Sequence, residues 1–152
     1  MAVSTDLIKQ LRAETGARVM DCKQALDKAK GNLALAKTYV EEKGLARAEK
    51  TADRETKFGY IATYTHNTGT VAAMVELLCE TDFVAANSQF QTLARDLAMQ
   101  VAAMDPEDKA ALLAQDFIKD PSKTVETVIK SLSGKIGEKM ELARFKRLAI
   151  NQ

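Results

Sequence analysis

The sequence has 152 residues, with 22 Lys and Arg against 21 Asp and Glu and a formal net charge of +1. This length fits one domain or one domain plus a small module, and a hydrophobic share of 46% is too high for a disordered chain. Because positive and negative charges nearly cancel, we exclude a protein that is attracted to nucleic acid or membranes by its overall charge.

Two cysteines and one histidine are too few for a disulfide scaffold or a Cys/His metal site. The first residues lack the charged-then-apolar pattern of a signal peptide, and no apolar run reaches the roughly 18 residues that span a bilayer. We therefore expect a soluble intracellular protein in a reducing compartment, with no metal, no cofactor and no membrane contact.

The first 44 residues predict a module of three short helices with a small apolar core. Residues that can cap a helix precede the first and third helices, and a glycine follows each of the three. The predicted spans are 4–15, 18–30 and 32–43, with ends at Gly16, Gly31 and Gly44. The predicted inward residues are Leu7, Ile8 and Leu11; Val19 or Met20 with Ala25, Leu26 and Ala29; and Leu35, Ala36, Tyr39 and Val40.

Three short helices also occur in helix-turn-helix DNA-binding proteins. Here the charges are mixed on every predicted helix, and no basic stripe marks a face that could read DNA. A core this small is marginal on its own, so the pattern favours a module that docks onto a protein, without direct contact to nucleic acid. Residues 45–57 are rich in Ala and charged residues and predict a partly helical linker.

Residues 58–152 predict an α+β core domain. Apolar residues alternate over 58–66 and 70–79, and a Gly-containing turn between them predicts an antiparallel hairpin. The alternating segment 140–150 is expected to add a third strand. The helices predicted in between cover one face of this three-stranded antiparallel sheet.

The strongest helical signal follows the hairpin. Ser88 and Gln91 form a capping box, and the pair Asp105-Pro106 ends the helix. The predicted spans in this region are one helical turn over 82–87, the long helix 88–104, a short helix over 107–115, a helix from Pro121, and a further turn over 133–139. The predicted inward residues of the long helix are Phe90, Leu93, Ala94, Leu97, Val101 and Met104.

The sequence contains no glycine-rich nucleotide loop, nucleophile elbow or zinc-protease helix. His66, the one histidine, falls in the hairpin turn, and Cys79 falls at the open end of the hairpin, roughly 25 Å away. The two side chains therefore cannot share a proton within one chain. We expect no enzyme; the competing hypothesis is an enzyme that uses Glu80, Asp82 or Cys79.

Phe83 stands beside Asp82, where the second strand meets the predicted helical turn. Chain corners are usually polar, so a large apolar side chain there is either part of the core or a protruding contact. Composition alone favours the core, and the residues by themselves leave both interpretations open.

Three stretches resemble the elongation factor Ts family, in order along nearly the whole chain. They are residues 11–26 (LRAETGARVMDCKQAL), 79–87 (CETDFVAAN), and 117–125 (FIKDPSKTV) followed by 135–138 (KIGE). Members of this family are guanine-nucleotide exchange factors for elongation factor Tu. The resemblance implies a ubiquitin-associated-like module over 1–44, a linker over 45–57 and an α+β core over 58–152. The chain looks like the short form with a single core subdomain, and such forms are expected to be homodimers.

The resemblance also implies roles for individual residues. Phe83 would enter between helices of the partner's nucleotide domain, and its neighbours Thr81, Asp82 and Val84 would complete the motif, with Asp82 disturbing the Mg²⁺ surroundings. The N-terminal module would contact the same domain through Arg12, Val19, Met20 and Lys23, and His66 is a further candidate. Departures from the family pattern are Val19 for a commoner methionine, Ala86 for a basic residue, and Lys139-Met140 for an Asn-aliphatic pair.

The implied partner is elongation factor Tu, in its GDP-bound and nucleotide-free states, and the factor itself would need no cofactor. The implied compartment is the bacterial cytoplasm, with an organellar matrix as the other possibility. The alternative to an exchange factor is a partner-binding module or paralogue without exchange activity.

Overall fold

The computed structural model describes residues 2–151 and shows an α+β fold. Three helices come first, and a three-stranded antiparallel sheet packed with helices follows, as the sequence predicted. None of the described helices is long and apolar enough to cross a membrane. The elements are α1 (Thr5–Thr15), α2 (Val19–Lys28), α3 (Leu33–Lys50), β1 (Phe58–Thr65), β2 (Val71–Cys79), α4 (Asp82–Ala85), α5 (Ser88–Met104), α6 (Lys109–Ala114), β3 (Asp116–Phe117), β4 (Asp120–Thr124), α7 (Val125–Ile136) and β5 (Glu141–Ala149).

The N-terminal helices pack around a small core centred on Leu11, Cys22 and Leu26. The prediction that Val19 or Met20 points inward is wrong, because both side chains are exposed. The buried stripe of α2 passes through positions 22, 25, 26 and 29, so it extrapolates back to position 18 and leaves 19 and 20 on the outer side. Leu35, also predicted inward, is exposed on α3.

Asp21 is the one buried acidic side chain that fastens α2 to α3. Its carboxylate oxygens lie 2.8 Å from Lys43 Nζ and 3.0 Å from Arg47 Nη2. Burial alone would raise the pKa of Asp21, but the hydrogen bonds from Lys43 and Arg47 outweigh it and hold the pKa below its usual value. The charge is therefore tolerated because it is paired on both sides.

The sheet has the order β1-β2-β5, with β2 in the centre and antiparallel to both neighbours. The predicted hairpin and third strand are confirmed. Val75 lies opposite Ala62 on one side and Phe145 on the other, and this inner face packs against α5. Helix α5 covers Ser88–Met104 as predicted, but Met104 is exposed rather than inward.

Three local predictions in the core domain are wrong. Asn87, rather than the box of Ser88 and Gln91, caps α5, since its Oδ1 accepts from the backbone N–H groups of residues 89 and 90. Pro121 lies in strand β4, which pairs with β3, and α7 begins only at Val125. The separate turn predicted over 133–139 is wrong, because residues 133–136 are the last turn of α7, which ends at Ile136 with Gly137 as its C-cap.

Helix α3 does not end at Gly44, as predicted, but continues to Lys50. Gly44 is buried where α3 crosses α7, and it faces Gly134. A Cβ placed on Gly134 would overlap the carbonyl group of Gly44. Glycine at 134 thus allows the two backbones to touch, and this packing outweighs the low helix propensity of Gly44. The domain boundaries themselves stay a prediction.

Arginines from the N-terminal part of the chain bind the C-terminal end of α7. Arg47 Nη1 donates to the Gly134 carbonyl at 2.8 Å, and Arg18 Nη2 donates to the Ile136 carbonyl at 3.3 Å. Arg54 Nη1 lies 3.5 Å from the Gly137 carbonyl. The last carbonyls of a helix lack intrahelical partners and carry the negative end of the helix dipole, which favours such cations.

Replacing Gly134 by Ala should destabilise the protein, whereas Gly44→Ala should not. Overpacking a tight contact costs about 1–3 kcal/mol, and a Cβ at 134 would meet backbone rather than a flexible side chain. A Cβ at 44 would lie 4.0 Å from Gly134 Cα, an ordinary contact, and alanine favours a helix by about 0.5–1 kcal/mol. Urea unfolding followed by circular dichroism measures both free energies. Equal losses for the two variants would contradict a one-sided close approach.

Candidate functional site

The structure resolves the position of Phe83. Strand β2 ends at Cys79, Thr81 caps the single turn α4, and Phe83 is the second residue of that turn. Its side chain is 84% exposed, whereas the next residue, Val84, is 8% exposed and packs in the core. Phe83 is therefore a protruding side chain, and the interpretation as a core residue is wrong.

Two carboxylates, Glu80 on this corner and Glu138 in the segment after α7, each accept hydrogen bonds from the opposite segment. Glu138 Oε1 accepts from the backbone N–H of Thr81 at 3.0 Å and of Glu80 at 3.2 Å, and Glu138 Oε2 accepts from Thr81 Oγ1 at 2.7 Å. In return, Glu80 Oε1 accepts from the backbone N–H of Lys139 at 2.7 Å. Hydrogen bonds to an ionised acceptor are roughly twice as strong as neutral ones, so the corner is firmly held.

The other side of the corner is fixed to α5. Asn87 Oδ1 accepts from Gln89 N at 2.8 Å and from Phe90 N at 3.3 Å, and the fully buried Phe90 anchors the start of α5 in the core. The Gln91 amide donates to the Ala85 carbonyl at 3.1 Å. The short turn α4 is thus held at both ends while one aromatic ring projects from it.

Asp82 places a carboxylate beside the projecting ring. Its side chain is exposed, and its Oδ1 accepts from the Phe83 backbone N–H at 3.0 Å. Ala86, the position that departs from the family pattern, is also exposed at the end of α4. The surface of this corner therefore combines an acidic group and an apolar ring, with no basic side chain at residues 82–88.

The four candidate residues of the N-terminal module are all exposed: Arg12, Val19, Met20 and Lys23. Met20 and Lys23 are three residues apart on α2 and share a face, whereas Arg12 lies in the last turn of α1. Arg18, which immediately precedes α2, binds the Ile136 carbonyl. The start of α2 and the Phe83 corner are therefore both attached to the C-terminal end of α7.

His66 is not brought to this site. It lies in the hairpin turn, where its Nδ1 is 3.2 Å from Tyr64 Oη. In the β1–β2 register, Phe58 is opposite Cys79 and Thr65 is opposite Ala72, so the turn lies a full strand length from the corner. Eight strand residues span about 25 Å. Within one chain, His66 and Phe83 belong to different ends of the sheet.

The groups considered for enzymatic chemistry are poorly suited to it. Cys79 is fully buried and its Sγ donates to the Thr81 carbonyl at 3.2 Å. Burial, with a smaller effect from the Glu138 carboxylate, raises the pKa of the Cys79 thiol to about 11. The Glu80 carboxylate already accepts hydrogen bonds from the Lys139 backbone N–H and from the Arg54 guanidinium. Residues 2–151 contain no group of three or more His, Cys, Asp or Glu side chains that could hold a metal ion.

Sequence reasoning missed Glu138 and the three arginines as parts of this arrangement. Glu138 ends the KIGE motif, and its local sequence predicts no partner, because a carboxylate after a helix normally faces solvent. Its bonds cross 57 and 58 positions of the chain. No local pattern identifies partners at that separation.

Comparison with known proteins gives a consistent result. A family model described as elongation factor TS matches residues 80–152. Elongation factor Ts of Maridesulfovibrio salexigens is 38% identical, over 97% of this chain and 94% of the relative. Elongation factor Ts of Leptospira biflexa is 36% identical, over 99% of this chain and 98% of the relative. Elongation factor Ts of Aquifex aeolicus is 43% identical, over 97% of this chain but only 52% of the relative.

Neither cysteine should react with iodoacetamide in the native protein at about pH 8, because the thiolate is the reactive form and both thiols are buried. Burial raises the pKa of Cys22 as well as that of Cys79. Mass spectrometry should show both sites modified only after denaturation in guanidinium chloride, which is the control. Rapid labelling of native Cys79 would instead support the competing hypothesis of a nucleophilic enzyme.

Proposed function

The chain belongs to the elongation factor Ts family, and we propose that it is a guanine-nucleotide exchange factor that releases GDP from elongation factor Tu. The observation that carries this proposal is the exposed Phe83 on a corner that polar bonds hold in place. An aromatic side chain that is 84% exposed on a turn held at both ends is well placed for burial in a partner. The family's bacterial relatives favour the bacterial cytoplasm as the compartment.

Exchange of this kind requires no covalent chemistry. Elongation factor Tu holds GDP through its phosphate loop and Mg²⁺, as GTPases do. A factor that binds the nucleotide-free state more tightly weakens GDP binding by the same coupling free energy. Burying one aromatic side chain contributes about 1.5–3 kcal/mol, which is the size needed for a tens-fold effect.

In the proposed mechanism, Phe83 enters an apolar slot between helices of the partner's nucleotide domain. Asp82 brings a negative charge towards the Mg²⁺ surroundings, and the phosphate loop shifts. Thr81 caps the turn that carries both side chains, and Val84 anchors it in the core. Because α4 is held at both ends, little conformational entropy is lost when Phe83 is buried.

The N-terminal module is proposed to bind the same domain through Arg12, Val19, Met20 and Lys23. The exposure of Val19 and Met20 supports this, since two apolar side chains at the start of α2 have no role in the module's core. Met20 is flexible and suits an adaptable apolar contact. The likeness of this module to ubiquitin-associated domains, and a contact from His66, stay parts of the proposal.

A second copy of the chain is proposed to cover the outer face of the sheet. Within residues 2–151, helices pack on the inner face only, and the outer face exposes Ile61, Met74 and Leu148, the last being 80% exposed. Ile61 and Met74 line a shallow cavity of about 220 Å³, beside the Glu76–Arg144 ion pair. This surface presents both apolar groups and opposite charges, so it can pair with itself across a twofold axis.

Phe83→Ala should slow the release of GDP from elongation factor Tu by about tenfold or more, since the lost burial is worth about 1.5–3 kcal/mol. The measurement is the rate at which fluorescent GDP leaves elongation factor Tu at a fixed, catalytic amount of factor. The exposed side chain makes no core contact, so the melting temperature should not change.

The matched control is Met104→Ala, which removes another exposed apolar side chain, at the opposite end of α5. It should leave the exchange rate unchanged. A Phe83→Ala protein with wild-type exchange would remove Phe83 from the mechanism. Stable binding of elongation factor Tu by the wild type without faster GDP release would instead identify a partner-binding protein without exchange activity.

Met74→Glu should convert the proposed dimer to a monomer, because a carboxylate replaces an apolar side chain on the covered face and would have to lose its water there, even with Lys146 of the same chain opposite it. Light scattering at micromolar concentration measures the mass. Leu35→Glu, a charge introduced on the exposed face of α3, is the control and should leave the mass unchanged. A monomeric wild type would contradict the homodimer and leave the exchange proposal standing.

A further inference from the structure

We propose that Glu138 is a positioning residue for exchange: its carboxylate fixes the corner that carries Phe83, without touching the partner. This inference rests on the proposed function. It extends that proposal to a residue that is far from Phe83 along the chain, in the segment between α7 and β5.

Glu138 binds the corner at the point where the direction of Phe83 is set. Its three acceptor bonds go to the backbone N–H groups of Glu80 and Thr81 and to the Thr81 hydroxyl, the residues directly before α4. Thr81 Oγ1 in turn accepts from Val84 N at 3.3 Å. The bonds from Glu138 to Thr81 and from Thr81 to Val84 therefore span both sides of Phe83.

Glu138 is itself held rigidly. Its backbone carbonyl accepts from Ser133 Oγ at 2.6 Å. The preceding Gly137 adopts φ +86°, a left-handed helix end, and donates to the Ser133 carbonyl at 2.8 Å. A Cβ on Gly137 would overlap the Arg18 guanidinium. The Glu138 carboxylate therefore lies at a fixed position beyond the end of α7. A hydrogen-bond acceptor with a fixed position restrains its donors, which here are Glu80 and Thr81.

Glu80 provides a matched comparison within the same corner. Its carboxylate has the same chemistry, but its bonds go to the Lys139 N–H and to Arg54, and not to the residues that flank Phe83. If Glu138 acts by positioning Phe83, Glu80→Gln should have a much smaller effect on exchange than Glu138→Gln.

The first test is a double-mutant cycle on the GDP release rate. Glu138→Gln should slow exchange about fivefold in the wild-type background, because the neutral amide oxygen accepts more weakly from the two N–H groups and the amide nitrogen cannot accept from the Thr81 hydroxyl. In the Phe83→Ala background the same change should alter the rate by less than about twofold, since the ring is gone and only the Asp82 carboxylate is left to position. Equal losses in both backgrounds would overturn the proposal, as would a Glu80→Gln loss as large as that of Glu138→Gln.

The second test does not depend on exchange activity. Hydrogen–deuterium exchange of the Thr81 amide should become about tenfold faster in Glu138→Gln and change by less than about twofold in Glu80→Gln. An unchanged Thr81 amide would overturn the proposal. If the wild type does not speed the release of GDP from elongation factor Tu, the proposed function is wrong. The exchange rate of the Thr81 amide still decides whether Glu138 fixes the corner.

Circular dichroism melting separates positioning from general instability. Should Glu138→Gln fail to fold, Thr81→Val replaces it in the double-mutant cycle, because it removes the hydroxyl that bridges Glu138 and Val84 while keeping the shape of the side chain. It should slow exchange only where Phe83 is present. A loss that is independent of Phe83 would overturn the proposal by this route as well.

Discussion

The close approach of two backbones at Gly44 and Gly134 is the contact on which the arrangement of the molecule depends. It brings α3 against α7 closely enough for Arg47 to bind both Asp21 within the module and the Gly134 carbonyl on α7. Once α3 is in place, Arg18 also reaches the end of α7. The small N-terminal core, marginal by itself, is therefore stabilised by a helix that belongs to the sheet domain.

The C-terminal end of α7 joins the parts of the proposed site. Cationic side chains from the N-terminal residues bind its last carbonyls, and the residue after its glycine end, Glu138, binds the corner beside Phe83. The two proposed contact groups, at the start of α2 and at α4, are thus attached to one rigid element. A partner that touches both meets a surface whose parts do not have to be ordered on binding, which lowers the entropy lost in association.

Elements governed by local chemistry could be predicted from the sequence. The alternation in β1, β2 and β5 predicted the sheet, the apolar spacing predicted the buried face of α5, and the pair Asp105-Pro106 predicted where α5 ends. What failed depended on distant contacts. The local sequence predicted a helix end at Gly44, but packing against Gly134 keeps the helix continuous there. It predicted Val19 or Met20 in the core, but the buried stripe of α2 passes them by. It predicted a helix start at Pro121, but pairing with β3 makes that segment a strand. The exposure of Phe83 followed from resemblance rather than from composition, which favoured the core.

The projecting ring of Phe83 also bears on how such sites can be found. One exposed aromatic side chain beside a carboxylate is far smaller than the apolar patches that usually mark an interface, so a survey based on apolar area would pass over it. Its distinguishing property lies underneath, in the backbone N–H groups of Glu80, Thr81 and Val84, which donate to side-chain oxygens of Glu138 and Thr81. A small binding site of this kind is recognised by how well its backbone is supported, and its small apolar area gives this corner little surface for non-specific association.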